Sequence, residues 1–315
     1  MAQPFFETAR LLKVLVTGGN GFIGGWLLRR LVGRGATIRV LDVRPPGELV
    51  RRLLGRDTES VDWQVGDITN ADDLARATAD CGAIAHLAAA LGPVCDVDPR
   101  LGASVNLGGT LALLTRCRQT HARFVYASSA GIFGPHDGVT PAPTTHYGVF
   151  KWASEVSAKV FWERDRVASV GLRPLTVYGP GRIAGHSAGP TLACRAAALD
   201  ETYAIPFTGV TDFIFVDDVA AAFEAALYAD DEGANAYNIT GAIAETGEFI
   251  DVIRKLKPDA RISCQGGPVP IANVRPGHDA RQRYPGLQNT GLQSGIEQTL
   301  GYYEQGDGWR PGSLA

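Results

Sequence analysis

Residues 11–24, LLKVLVTGGNGFIG, decide the fold. Leu11 to Thr17 is a short, nearly continuous apolar run, the pattern of a strand buried on both faces. From Phe22 to Val32 the apolar residues recur instead at helical spacing. Between the two, Gly18, Gly21 and Gly24 stand at three-residue intervals. Glycine permits a tight turn and lets backbone N–H groups approach a pyrophosphate at the positive end of a helix. Loops also collect glycine for purely conformational reasons, so the turn gains meaning from its setting of strand, turn and helix in that order. Gly18, Gly21, Phe22, Ile23 and Gly24 are therefore candidate contacts for a dinucleotide.

Outward from this unit, Ala36–Leu41, Val61–Val65, Ala83–Leu87, Phe124–Ala127 and Ser169–Leu172 repeat the strand pattern. Helical stretches lie between them near Ala71–Thr78, Pro99–Gln119 and Tyr147–Arg164. Strands alternating with helices predict an α/β fold, a doubly wound parallel sheet of Rossmann type covered on both faces. After about residue 175 the rhythm becomes irregular. A Gly/Pro-rich loop, VYGPGRIAGHSAGP at 177–190, leads to a helical run at Thr191–Leu199, a short strand at Phe213–Val216 and a helix at Asp217–Tyr228. A strand at Ala236–Ile239 and helices near Gly247–Leu256 and Leu292–Tyr303 complete the chain.

The chain has 315 residues, 45% apolar and 20% charged, which is ordinary for a globular protein. A net charge of -3 and a pI near 6.1 supply no basic field for nucleic acid or an anionic membrane. Cys81, Cys95, Cys117, Cys194 and Cys264 are scattered, odd in number and without a CxxC pair, so free thiols in a reducing cytoplasm are expected. The start, MAQPFFETARLLKVLV, lacks the basic and long apolar regions of a secretion signal and reads as a short extension. No apolar run reaches the length of a membrane span. The six histidines show no ligand spacing, so no metal is expected.

Asp42 ends the second strand, where an acid binds the adenosine ribose hydroxyls and repels a 2′-phosphate. NAD is favoured over NADP on this ground, although Arg44 two residues later is suited to accommodate that phosphate. Asp67, in VGDIT after the third strand, is placed to accept a hydrogen bond from the adenine amino group. Turn or capping chemistry is the competing reading of both acids. The chain thus divides into an NAD-binding domain over 1–174 and a smaller mixed α/β substrate lobe over 175–315, with segments around 210–241 returning to the main sheet.

Tyr147 and Lys151, in TTHYGVFKW, form a YxxxK pair. On a helix this spacing puts both side chains on one face, about 5 to 6 Å apart at Cβ. A free phenol titrates near 10 and is a poor base at neutral pH, and a neighbouring ammonium favours the phenolate. YxxxK also arises by chance, so its company matters.

TGGNGFIG, GDIT at 66–69, HLAA at 86–89, Asn106 in NLGGT, SSAGIFG at 128–134, YGVFK, LRPLTVYGPG at 172–181 and DFIFVDDVA at 212–220 follow in order. Over residues 12 to 241 this series resembles the extended short-chain dehydrogenase/reductases, in particular the NAD-dependent epimerase/dehydratase family. The resemblance implies an NAD-binding Rossmann fold, a C-terminal substrate lobe and a homodimer formed through two helices of each subunit. It makes Ser129 the catalytic serine, with Ser128 a neighbouring substrate contact. Tyr147 becomes the acid/base and Lys151 the residue that binds the nicotinamide ribose and lowers the tyrosine pKa. Asp67 and Ile68, and Leu87, Ala88 and Ala89, lie along the cofactor. His86 is kept out of the catalytic set, because a lone histidine is more often a packed polar residue.

Departures from the pattern narrow the chemistry. Ala130-Gly131 stand where 4,6-dehydratases of the family carry Asp-Glu, which argues against water loss. Phe133 replaces the usual tyrosine, and His146 replaces the proline common before the catalytic tyrosine. The segment from Ser129 to Tyr147 is also shorter than in most sugar-nucleotide epimerases. Thr211 stands in place of an arginine that reaches the substrate diphosphate. Arg275, in VRPGHD, matches a second phosphate-contacting arginine, or else forms an ion pair.

These features point to an NAD-dependent oxidoreductase or epimerase acting on a secondary hydroxyl of a sugar, sugar acid or related polyol. His186 and Thr208 are candidate polar contacts to that carbohydrate-like substrate. A sugar-nucleotide 4-epimerase is the alternative, and a noncatalytic NAD-binding regulator on the same fold is a further one.

Overall fold

A computed structural model describes residues 13–306 apart from 274 and 276; the expected N-terminal extension, with Leu11 and Leu12, lies outside them. The first half alternates as the sequence predicts: β1 (Lys13–Thr17), α1 (Phe22–Gly33), β2 (Thr37–Asp42), α2 (Glu48–Leu54), β3 (Asp62–Val65), α3 (Ala71–Thr78) and β4 (Ala83–His86). Val14, Leu15 and Val16 of β1 are fully buried, as a central strand covered on both faces requires.

The helix expected over Pro99–Gln119 is instead a broken run. α4 (Gly92–Val97) is followed by α5 (Pro99–Ala103), a π-helical turn at Ser104–Gly108 and α6 (Gly109–Thr120). Asp98 starts α5 by accepting hydrogen bonds from the Arg100 and Leu101 amides, and Pro99 has no N–H to lose there. Within the π turn, the buried Asn106 donates from Nδ2 to Ala90 O at 3.0 Å. That contact lies outside the helix, so a periodicity argument does not reveal it.

β5 (Arg123–Ala127), α7 (His146–Asp165), β6 (Ser169–Arg173) and β7 (Thr176–Tyr178) follow, then α8 (Gly189–Ala198), β8 (Tyr203–Ile205), β9 (Val210–Phe215), α9 (Val216–Tyr228) and β10 (Ala234–Asn238). The chain continues through β11 (Ala242–Glu245), α10 (Thr246–Leu256), β12 (Ile262–Cys264), α11 (Ala280–Arg283) and α12 (Leu292–Glu304). The main sheet has the order β10-β6-β5-β4-β1-β2-β3 with every pairing parallel. Strand order reverses between β1 and β4, which opens the crevice where such folds bind ligands. β9 pairs with β7 and β11 in a separate sheet, and β8 pairs with β12. Of the segments around 210–241, β10 therefore joins the main sheet and β9 does not.

One buried polar bridge fixes α7 against this frame. Thr145 caps the helix, its hydroxyl accepting from the Gly148 amide at 3.1 Å. Two turns beyond Tyr147, the Glu155 carboxylate is buried and accepts from Arg173 Nε and Nη2 at 2.7 and 2.6 Å, and from Ser128 Oγ. One carboxylate thus ties α7 to the end of β6 and to the segment after β5. Removing one partner of a buried pair leaves the other charge uncompensated, at a cost of about 3 kcal/mol or more. Glu155→Ala is expected to lower the unfolding free energy of the full chain by that amount in urea denaturation; a change below about 1 kcal/mol would contradict this role.

Candidate active site

The glycine turn is built by close backbone approach. Gly18 has φ +71°, and a Cβ there would lie 2.6 Å from the Ala88 amide nitrogen. A Cβ on Gly24 would lie 2.2 Å from Gly18 O, so side chains at both positions are excluded. α1 begins after Gly21 with no side-chain cap, which leaves its first amides pointing into the turn. The Asp42 carboxylate accepts from the Asn20 amide at 3.0 Å and from the Arg44 amide at 3.2 Å, bracing the turn from the end of β2. Thr17 Oγ1 bonds His86 Nδ1 at 2.8 Å and accepts from the Ala88 amide at 3.3 Å, which sets Leu87, Ala88 and Ala89 along the same crevice. This cradle of free amides at a helix start, with an acid at the end of the second strand, fits a dinucleotide.

Asp67 is exposed, and its Oδ1 accepts from both Thr69 N and Thr69 Oγ1 at 2.8 Å, so the turn chemistry weighed for it is present. Ile68 behind it is buried. His86 is buried and stacks on Phe124, and burial first, then Lys151, push its pKa down to about 3. It is therefore a neutral packing residue beside the site.

The turn after Ser129 and the start of the Tyr147 helix are brought together by a second close approach. A Cβ on Gly148 would lie 2.5 Å from Gly131 O, so the start of α7 sits directly against the turn that follows Ser129. Ser129 Oγ accepts from the Gly131 amide at 3.0 Å and, among the described residues, donates to nothing, which keeps its proton available. Lys151 is buried, its Nζ 5.4 Å from the centre of the Tyr147 ring and 2.6 Å from Ala127 O, to which it donates. Burial pushes the ammonium down to about 8. The Tyr147 phenol is pushed up to about 12, by burial first and then by Cys95, while Arg182 acts in the opposite direction. Lys151 thus stands beside the Tyr147 ring while donating to the end of β5, and Arg182 is a second cation whose charge acts on the phenol.

The remaining candidates divide. His186 is exposed on the 181–188 loop, its Nε2 3.3 Å from the Asp96 carboxylate on α4. The Thr208 hydroxyl is spent on Gly266 O at 2.8 Å. Ser128 is buried and its hydroxyl is committed to Glu155, so it faces the interior and not a substrate. Arg275 is likewise corrected: it is ion-paired with Asp212, both side chains fully buried, and also donates to Ala272 O, Asn273 O and Ile239 O. Recruiting it for a phosphate would abandon a buried carboxylate. Arg182, Glu155 and Arg173 were absent from the sequence candidates; the only sign of Arg182 was a lone charge in a Gly/Pro-rich loop. Among the described residues no cluster of His, Cys, Asp and Glu suits a metal ion.

A model of the NAD-dependent epimerase/dehydratase family matches residues 14–240. The chain is 31% identical to the decarboxylating sterol-4-alpha-carboxylate 3-dehydrogenase of Candida albicans over 54% of this chain and 52% of that one. It is 33% identical to D-erythronate dehydrogenase of Cupriavidus necator over 54% of this chain and 57% of that one. The matched region thus spans about half the length of these curated relatives. The structure of Thermus thermophilus UDP-glucose 4-epimerase in complex with NAD superposes with a TM-score of 0.79 at 27% identity, covering 94% of this chain and 99% of the other.

Proposed function

Because the chain belongs to the NAD-dependent epimerase/dehydratase family, we propose that it is an NAD-dependent dehydrogenase or epimerase acting on a secondary hydroxyl of a sugar, sugar acid or related polyol. The observation that carries this reading is the abutment of the Ser129 turn on the helix bearing Tyr147 and Lys151, beside the glycine cradle. Sequence relatives named as dehydrogenases of a sterol carboxylate and of erythronate support a hydroxyl-bearing substrate without a nucleotide. Thr211, which replaces a diphosphate-binding arginine, is buried and bonded to Thr176 Oγ1 at 2.9 Å, and Arg275 is locked to Asp212. Both facts weigh against a sugar nucleotide.

In this mechanism Gly18, Gly21, Phe22, Ile23 and Gly24 would hold the cofactor's pyrophosphate, and Asp42 would hold its adenosine ribose. Asp67, Ile68, Leu87, Ala88 and Ala89 would line its path, and Lys151 would bind the nicotinamide ribose. Bound NAD supplies the acceptor for the hydride leaving the substrate carbon. Tyr147 takes the proton from the substrate hydroxyl, and Ser129 donates its free O–H to the same oxygen as it becomes a carbonyl. Release of the ketone makes the enzyme a dehydrogenase, and return of the hydrogen to the opposite face makes it an epimerase.

Tyr147→Phe is expected to retain NAD affinity within about twofold and to lose at least about 100-fold in kcat. The assay follows absorbance at 340 nm and isomer formation over sugars, sugar acids and sugar nucleotides. Net NADH marks a dehydrogenase, and isomers without net NADH an epimerase. Wild-type turnover by the variant, or no reaction across the panel, would overturn the assignment.

We also infer a cytoplasmic homodimer serving carbohydrate metabolism. The five free cysteines support a reducing compartment, and among the described residues no helix is long and apolar enough to cross a membrane. Val149, Val156 and Val160 are exposed at spacings that share one face of α7, with Leu111 exposed on α6, which supports pairing through these helices. Sedimentation equilibrium is expected to give twice the chain mass of 33.4 kDa, and a monomer at micromolar concentration would refute the dimer.

A further inference from the structure

We propose that Arg182 anchors an anionic oxygen pair at the reaction site, the carboxylate of a polyhydroxy acid whose reacting hydroxyl lies at Tyr147. This rests on the dehydrogenase or epimerase reading above and narrows its substrate class to sugar acids and related hydroxy carboxylates.

Placement is the first argument. Arg182 follows β7 in a segment pinned just before it: Trp26 Nε1 donates to Pro180 O at 3.1 Å, and the Gly181 amide donates to Tyr303 Oη at 3.4 Å. Its guanidinium carbon lies 5.9 Å from the centre of the Phe22 ring, the first residue of α1 after the glycine turn. Its charge also acts on the Tyr147 phenol. One side chain therefore lies against the start of α1, and its charge reaches the acid/base.

Its bonding is the second argument. Among the described residues no carboxylate pairs with Arg182, whose acceptors are all neutral: Val177 O from Nη1, Ser187 Oγ from Nη2 at 3.0 Å, and Ala184 O from Nε at 3.4 Å. A guanidinium has five N–H donors. Three are engaged, which leaves one on each terminal nitrogen, the number a carboxylate needs for two bonds. Burial without a counter-ion pushes this arginine down to about 10, a cost that a bound anion offsets. The loop is shaped around it, since Gly185 at φ +102° would bring a Cβ to 3.3 Å from Nη2.

Its company is the third. Arg173 and Arg275 are matched to Glu155 and Asp212, whereas the half-buried Arg182 has no such partner among the described residues. One uncommitted cation suits a singly charged carboxylate better than a diphosphate. The cofactor's pyrophosphate presents the same anionic chemistry, and the experiment separates the two.

The full chain is prepared in a Tyr147→Phe background, with and without Arg182→Ala or Arg182→Lys, so that binding is read without turnover. Calorimetry measures NAD first. It then measures aldonates and uronates against their neutral aldose counterparts at saturating NAD. The acids are expected to bind at least about 10-fold more tightly than the neutral sugars, and Arg182→Ala to weaken acids by about 100-fold. Neutral sugars and NAD should stay within about twofold, and Arg182→Lys should restore part of the loss. A loss of NAD affinity with the acids unaffected would assign Arg182 to the pyrophosphate and overturn the proposal. Equal losses for acids and neutral sugars, or no binding by any acid, would overturn it as well. Arg182-dependent binding of acids in a wild-type protein that gives neither a change at 340 nm nor isomers would uphold the anchor and defeat the catalytic reading.

Discussion

The Glu155 carboxylate is the contact on which the site's geometry depends. A buried anion is costly unless it is fully bonded, and this one is met by a two-pronged arginine and a serine hydroxyl. Its partners come from the end of β6 and from the residue just before Ser129. α7 is therefore held in register with the central strands two turns below Tyr147. A shift of the helix would leave a carboxylate and a guanidinium unmatched in the interior, so the phenol, the lysine and the serine turn keep a fixed spacing.

Two contacts without side chains complete the arrangement. Gly24 lies against Gly18 O, and Gly148 lies against Gly131 O, each closer than a Cβ allows. The first closes the cofactor turn onto the helix start, and the second presses the serine turn onto the tyrosine helix. Both occur at the carboxyl ends of β1 and β5, strands that flank β4 in the parallel sheet. The cofactor turn and the serine turn thereby open on one crevice, the arrangement that the proposed oxidation of a secondary alcohol requires.

Local pattern carried much of this into the sequence. The β1–turn–α1 unit, the alternation through β6 and the YxxxK spacing are short-range features, and the doubly wound sheet follows from them. What the sequence hid depends on partners far along the chain. Asp212 stands 63 residues from Arg275, and their ion pair turns a phosphate candidate into an interior brace. Ser128 and Ser129 are adjacent, yet alternation sends one hydroxyl inward to Glu155 and leaves the other to cap the turn at Gly131. The π turn at Asn106 answers to Ala90 O outside the helix, so periodicity extended a helix through it. Arg182 was unreadable for the same reason, since only the fold reveals that no carboxylate among the described residues meets it.

The proposed role of Tyr147 sets the central claim: burial holds its phenol up at about 12, and positive charge added beside it, as oxidised NAD would add, favours the phenolate that would accept the substrate proton. Ultraviolet difference titration of wild type against Tyr147→Phe, with and without oxidised NAD, isolates this one phenol. The account predicts that its ionisation moves down by about one pH unit or more from about 12 when the cofactor is bound. An ionisation that stays near 12 with NAD saturating would contradict it.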